Sequence, residues 1–175
     1  MKFLLFYLLT SSPGYSIDTA IHSNGYFIAM EYKGMSNCIY KVIILDSLIL
    51  GAKVNGEITV QGSFGIGHTV PQDQMHRPGA YVDSVLNEKY KNQLSGETFD
   101  EQGFLEADKD NFIIRKTDIK KVSNNPKKKF GMGYYPYGGR IILETIKTLQ
   151  NRKSERELIL VGDQDPEEVL KLIRS

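Results

Sequence analysis

The segment 124–140, NNPKKKFGMGYYPYGGR, concentrates residue types that could bind phosphate groups and stack on nucleic-acid bases. We call it the basic loop. Its candidate binding residues are Lys127, Lys128, Lys129, Tyr134, Tyr135, Tyr137 and Arg140. Lysine and arginine attract the phosphates of nucleic acid or anionic lipid, and tyrosine rings stack on bases or lie in a membrane interface. The same letters also fit a turn followed by a glycine-interrupted edge strand, so both interpretations stay open.

Other residues of the first half could do chemistry, but each pattern departs from its motif. The glycine-rich run 62–67 lacks the lysine of a phosphate-binding P-loop. His68, Asp73 and His76 could meet at a metal ion, although they lie in a Pro/Gly-rich segment without helical spacing. Ser63 lacks the first glycine of a nucleophile elbow. We predict no catalytic residue, metal or cofactor, with a small hydrolase using His68 or His76 as an alternative.

Charge is distributed unevenly along the 175 residues, although the net charge is only +1. Residues 111–156 carry twelve Lys or Arg against three acids, a net charge of +9, and the remainder carries ten against eighteen, or −8. Eight of those acids fall in the stretch 80–110. Such a split favours electrostatic pairing. We predict that 80–110 lies against 111–156, within one chain or between two, and masks the basic loop.

The first half has the character of β-structure. The segments GYFIAMEY, CIYKVIIL, SLILGAKV and EITVQ are short and rich in β-branched and aromatic residues. Asn55-Gly56 is the favoured two-residue hairpin signal, so Ser47–Val54 should pair antiparallel with Glu57–Gln61. The single cysteine, Cys38, falls within one of these strands and is predicted to be a buried, inert thiol.

An insertion and further strands follow. The residues of one predicted helical face in the insertion, about 62–110, are Val82, Val85, Leu86 and Tyr90. Strands resume at NFIIRKTDIKKV and continue in RIILETIKTL and ERELILVG. At the C-terminus, Asp165 is a predicted N-cap, with Pro166 at the first helical position and Glu168 at the capping-box position. The apolar face of that helix comprises Val169, Leu170 and Ile173.

The N-terminal apolar run, FLLFYLL at residues 3–9, has two interpretations. It is too short to span a membrane. It fits a buried strand, and it also fits the apolar core of a signal peptide over residues 1–14. The strand predicts a cytoplasmic protein, whereas the signal segment predicts an exported or membrane-associated one.

The order of elements resembles the bacterial pleckstrin-homology-like (PH-like) domains. YKVIILDSLILGAKVNG looks like the first hairpin of that family, and LILVGDQDPEEVLKLI looks like its last strand and closing helix. NFIIRKTDIKKV is similar to a strand-and-turn motif of the family, with Ile114, Asp118, Ile119 and Val122 at the matching positions. The resemblance implies one mainly-β (α+β) domain over residues 1–175. Its strongly bent antiparallel sheet or partly open barrel would carry a C-terminal helix and the helical insertion.

The resemblance further implies a non-catalytic role, because members of the family are regarded as interaction or scaffold modules. We therefore predict a binding or scaffold module that associates with a protein partner or with itself. An alternative is binding to anionic lipid or nucleic acid through the basic loop. No small-molecule cofactor is expected.

Overall fold

The computed structural model describes residues 24–33, 36–54, 58–60, 68–70, 90, 99–129 and 137–175. The strands in chain order are β1 (Gly25–Lys33), β2 (Ser36–Ile44), β3 (Leu48–Lys53), β4 (Ile58–Val60), β5 (His68–Val70), β6 (Phe112–Arg115), β7 (Ile119–Asn125), β8 (Tyr137–Thr145) and β9 (Glu155–Val161). The helices are α1 (Glu101–Ala107), the 3-10 turn Lys116–Asp118 and α2 (Pro166–Arg174).

Seven of these strands form one antiparallel sheet in the order β6-β3-β2-β1-β9-β8-β7, curled into a half-barrel. The remaining two, β4 and β5, form a separate parallel pair. The predicted mainly-β class with a strongly bent sheet and a C-terminal helix is therefore confirmed.

The curl follows from the connection between the two edge strands. Strands β6 and β7 lie at opposite edges of the sheet, yet only the 3-10 turn Lys116–Asp118 separates them in the chain. A flat sheet of seven strands would hold its edges about 29 Å apart, at about 4.8 Å per strand spacing. The four residue steps from Arg115 to Ile119 span at most about 14 Å. The sheet must therefore curl until its edges approach each other.

Both faces of the sheet are buried, because residues of β1 point alternately to two apolar clusters. Phe27 and Ala29 belong to the first cluster, which α2 covers with Val169, Leu170 and Ile173. Ile28 and Met30 belong to the second cluster, which includes Tyr90 and Phe104 of the insertion. The insertion thus contributes directly to the core on one face.

Two polar side chains fasten the insertion to β3. The Tyr90 hydroxyl lies 2.8 Å from the Lys53 carbonyl oxygen and 2.9 Å from Asn111 Oδ1. The Lys53 amide donates to the same Asn111 oxygen at 2.9 Å, and Asn111 Nδ2 donates to the Phe104 carbonyl at 2.6 Å. These bonds satisfy the buried Asn111 amide and hold α1 against the sheet.

The C-terminal helix α2 begins as predicted. Asp165 is its N-cap and accepts a hydrogen bond from the Glu167 amide at 2.8 Å, and Pro166 is its first residue. Its predicted apolar face is buried. Leu172 packs on Gly25 at the start of β1, where an added Cβ would collide with the leucine. The helix therefore covers the end of the sheet at which β1 begins.

The predicted Asn55-Gly56 hairpin is wrong. Strand β3 has β2 on one side and β6 on the other, so it has no free edge for 58–60, which pairs with β5 instead. The antiparallel partner of β3 is set by the tight turn before it, where the Leu45 amide donates to the Leu48 carbonyl at 2.8 Å. Two long apolar strands joined by this turn override a local dipeptide signal.

Other predictions have different outcomes. Helix α1 was not predicted, although Asp100 caps it by accepting from the Gly103 amide at 2.9 Å. The predicted helix at 82–90 lies outside the described residues except for Tyr90, and the run 3–9 lies wholly outside them.

We expect Gly51→Ala to destabilise the fold by overpacking. A Cβ at residue 51 would collide with the ring of Phe112, which is itself fully buried. The free energy of unfolding, measured by urea denaturation, should fall by about 1–3 kcal/mol. The double variant Gly51→Ala/Phe112→Leu should recover part of that loss. Additive effects of the two substitutions would contradict a direct clash.

Candidate functional site

The basic loop is partly a structural connection in the residues that are described. Lys127 and Lys128 are exposed. The Tyr137 hydroxyl donates to the Lys127 carbonyl at 2.7 Å, so this bond links the two described parts of the loop. Tyr134 and Tyr135 lie outside the described residues.

The other two predicted cations of the loop pair with one carboxylate. Lys129 and Arg140 both form ion pairs with Glu157 of β9. Burial acts to raise the pKa of Glu157, but hydrogen bonds from Lys129 and Arg140 outweigh it and lower the pKa. Lys129 also lies 5.6 Å from the Tyr32 ring centroid. The structure therefore joins these two residues to the sheet and leaves Lys127 and Lys128 facing solvent.

Among the described acids of 80–110, one contacts the basic half 111–156, as predicted, and another contacts the first half of the chain instead. Glu101 approaches Arg115 of the basic half at 3.4 Å. Asp110 instead pairs with Lys33 and Lys53, which belong to the first half of the chain. The carboxylate that partners the basic loop is Glu157, which is not part of 80–110. The predicted masking of the loop by the acidic stretch is thus absent from the described residues.

A cleft of about 240 Å³ opens at the end of the sheet far from α2. It lies where β1 ends and β9 begins, between the turn after α1 and the β8–β9 connection. Its charged lining residues are Lys33, Lys109, Arg152, Lys153, Arg156, Glu31 and Asp110. Five cations against two carboxylates give the lining a net charge of +3. We call it the basic cleft.

The cleft exists because β1 and β9 pair over a very short length. Their register is limited to Ala29↔Leu160 and Met30↔Ile159, whereas β1 and β2 pair over nine residues. Beyond Met30 the two strands are bridged by side chains instead of by backbone hydrogen bonds. This is the point at which Glu31 and Arg156 meet.

Glu31 and Arg156 form the floor of the basic cleft. Arg156 Nη1 donates to both carboxylate oxygens of Glu31 at 3.0 and 3.1 Å, and Lys153 Nζ donates at 2.8 Å. Arg156 Nε donates to Asn151 Oδ1 at 3.0 Å, and the guanidinium lies 3.6 Å from the Phe112 ring centroid. With 2% of Glu31 and 5% of Arg156 exposed, both charges are compensated inside the protein.

Asp110 forms the second carboxylate centre of the cleft. It pairs with Lys33 and, at 2.7 Å, with Lys53. Burial acts to raise the pKa of Asp110, but the hydrogen bonds from Lys33 and Lys53 outweigh it and hold the pKa well below its usual range. The carboxylate is therefore ionised, and the two lysines compensate its charge.

Tyr40 lies at the wall of the cleft but is fully buried, so a molecule in the cleft does not reach its hydroxyl. The neighbouring Cys38 thiol is a weak side-chain hydrogen-bond partner of that hydroxyl. Burial and the charge of Glu31 raise the pKa of Tyr40 well above its usual range. The hydroxyl therefore keeps its proton.

The rim of the cleft carries cations without ion-pair partners among the described residues. Lys109 and Arg152 are both exposed, one from the turn after α1 and one from the β8–β9 connection. Leu149, on the same connection, is 90% exposed and also lines the cleft. Both carboxylates of the cleft are thus paired with cations, and the two rim cations supply two of the three excess positive charges.

Among the described residues, the neighbourhood of the cleft offers neither an ionised thiol nor a cluster that could hold a metal ion. Burial raises the pKa of the Cys38 thiol, and its Sγ lies 3.7 Å from Asp110 Oδ2, so the thiol is protonated at neutral pH. Among the described residues no cluster of His, Cys, Asp and Glu could hold a metal ion. Neither described helix is long and apolar enough to cross a membrane.

Sequence reasoning missed this cleft, although one signal was present. Glu31 interrupts the apolar face of β1 that Phe27 and Ala29 define, because alternate residues of a strand share a face. A carboxylate in such a position must meet a cation inside the protein. Its partner, Arg156, is distant in sequence, so the pattern alone could not supply the pairing.

Comparison of the chain with protein-family models, with curated proteins and with solved structures finds no match.

We expect Glu31→Gln to destabilise the protein by about 3 kcal/mol, because it leaves Arg156 buried without a full counter-charge. Urea denaturation at neutral pH measures the free energy of unfolding. Glu155→Gln, at an exposed position on the same strand as Arg156, is the matched control and should change stability by less than about 0.5 kcal/mol. Equal losses in the two variants would contradict the buried network.

The Asp110 contribution to stability should depend on pH. Since its pKa is lower in the folded protein, its stabilising effect is complete above about pH 4, where aspartate of an unfolded chain is ionised, and is lost as the pH falls below that. The stability difference between the wild type and Asp110→Asn should be largest near neutral pH and should shrink in acid. Asp46→Asn, at an exposed turn, should show no such trend. A difference that is constant with pH would contradict the assignment.

Proposed function

We propose that this protein is a non-catalytic binding module of PH-like type that holds an anionic group of its partner in the basic cleft. The observation that carries the proposal is the net charge of +3 on the lining of the cleft, with the exposed cations Lys109 and Arg152 at its rim. The ligand chemistry is a phosphate or carboxylate. In this proposal residues 1–175 form one domain, with the insertion at about 62–110 contributing one wall.

The energetics support an anionic ligand. Lys109 and Arg152 at the rim add electrostatic attraction, which steers an anion towards the cleft.

The charges already paired inside the cleft and the volume of the cleft limit the kind of anion that it can accept. Glu31 and Asp110 are already bound by their own cations, so they do not repel a visiting anion as bare carboxylates would. A cleft of about 240 Å³ accepts a phosphate or carboxylate group and a short part of whatever carries it. The partner must therefore project that group from its surface.

The proposed role is non-catalytic. Its one thiol is protonated, and the side chains that line the cleft are donors and fixed charges. Such an arrangement orients and holds a group without breaking a bond. The exposed Lys127 and Lys128 keep binding through the basic loop as the competing interpretation, which the experiment below separates.

Titration with inorganic phosphate and with citrate, followed by NMR chemical shifts, tests the proposal. Shifts should cluster at the basic cleft, and Arg152→Ala should weaken binding about tenfold, the effect of losing one charged contact.

The Lys127→Ala/Lys128→Ala variant is the control for general positive charge. It removes two exposed lysines outside the cleft and should bind phosphate like the wild type. Loss of binding in this variant, with Arg152→Ala unaffected, would transfer the function to the basic loop. Absence of phosphate and citrate binding in the wild type would refute the proposal.

A further inference from the structure

The opposite end of the sheet carries a groove of about 470 Å³ whose charge is the reverse of the basic cleft. It lies between the start of β1 and α2. Its apolar lining residues include Tyr26, Val169 and Leu172, and its charged ones are Asp163, Asp165 and Glu168. No lysine or arginine belongs to the described lining, although Lys41 lies beside it, 3.9 Å from the Tyr26 ring centroid. We call it the acidic groove.

The two sites occupy opposite ends of the same strands. Gly25, the first residue of β1, lines the acidic groove, and Lys33, the last, lines the basic cleft. Eight residue steps of an extended strand separate them by about 27 Å. One copy of the chain therefore cannot bring its own cleft and groove together, but two copies can.

We propose that the chain associates with itself head to tail, with the basic cleft of one copy against the acidic groove of the next. Leu149, which is 90% exposed at the cleft rim, enters the groove beside Val169 and Leu172. Arg152 meets Glu168 around this apolar contact. The inference rests on the proposed function, because it names the anion-bearing partner as a second copy.

The two surfaces match in the arrangement of apolar and charged residues as well as in the sign of their charge. The cleft rim projects a single large apolar side chain, and the groove offers an apolar floor framed by carboxylates. A buried apolar centre with a polar surround is the usual anatomy of a specific interface. Since the two patches differ, the contact is heterologous and repeats from copy to copy, so it generates a ring or an open filament.

Sedimentation velocity over a range of concentrations, at low and high salt, tests the contact. The sedimentation coefficient should rise with concentration at low salt and fall towards the monomer at high salt, because exposed charges are screened. Leu149→Asp, Arg152→Glu and Glu168→Lys should each weaken association about tenfold or more. Lys128→Glu, an equally exposed charge reversal in the basic loop, should leave it unchanged.

Charge reversal gives the sharper result. The double variant Arg152→Glu/Glu168→Lys should recover association, and so should an equimolar mixture of the two single variants, because each junction in the mixture again joins opposite charges. A protein that stays monomeric at every concentration would overturn the inference. So would recovery in neither case, or an effect of Glu168→Lys without one of Arg152→Glu, which would assign the groove to another occupant such as residues 1–23.

The phosphate titration separates this inference from the proposed function. Phosphate binding at the cleft of a strictly monomeric protein would retain the binding function and remove self-association. Failure of both would remove both. Where the inference holds, phosphate should also compete with association, since the carboxylates of a second copy and the free anion share the cleft.

Discussion

The short link between the two edge strands is the constraint on which the architecture depends. Because Lys116–Asp118 alone joins β6 to β7, the seven-stranded sheet cannot lie flat. Curling brings the edge strands β6 and β7 towards each other, whereas the β6-β3-β2-β1 half and the β9-β8-β7 half pair at the middle of the sheet. Their meeting line is the β1–β9 pairing, which is also the shortest in the sheet.

The features of the two ends follow from this short pairing. At one end, Arg156 and Lys153 close on Glu31 where the strands separate, and the space that remains is the basic cleft. At the other end, the Gln164 side chain takes the place of a strand residue. Its amide accepts from the Ile28 amide at 2.8 Å and donates to the Ile28 carbonyl at 2.7 Å. At both ends of the β1–β9 pairing, side-chain contacts thus connect the two strands where backbone hydrogen bonds between them are missing.

The sequence predicted those elements whose information is local. Helix α2 carries its own cap and apolar face between Asp165 and Ile173, and the strands of the half-barrel have continuous β character. The Asn55-Gly56 hairpin failed because the edges of β3 are claimed by β2 and β6, the latter about sixty residues away. The cleft was beyond reach for the same reason, since Glu31 and Arg156 are 125 residues apart in sequence and meet only once β1 and β9 are neighbours in the sheet.

The narrow pairing between β1 and β9 has a mechanical consequence. Each half of the sheet is held internally by long backbone ladders, whereas the backbone pairing between the halves is limited to two residue pairs, supplemented by the Gln164 amide and the Glu31 ion pairs. Within the sheet, backbone hydrogen bonding is therefore sparsest along this line. The two walls of the cleft, which are the turn after α1 and the β8–β9 connection, belong to different halves of the sheet. A small rotation of one half about the β1–β9 pairing therefore changes the distance between the walls without breaking either ladder.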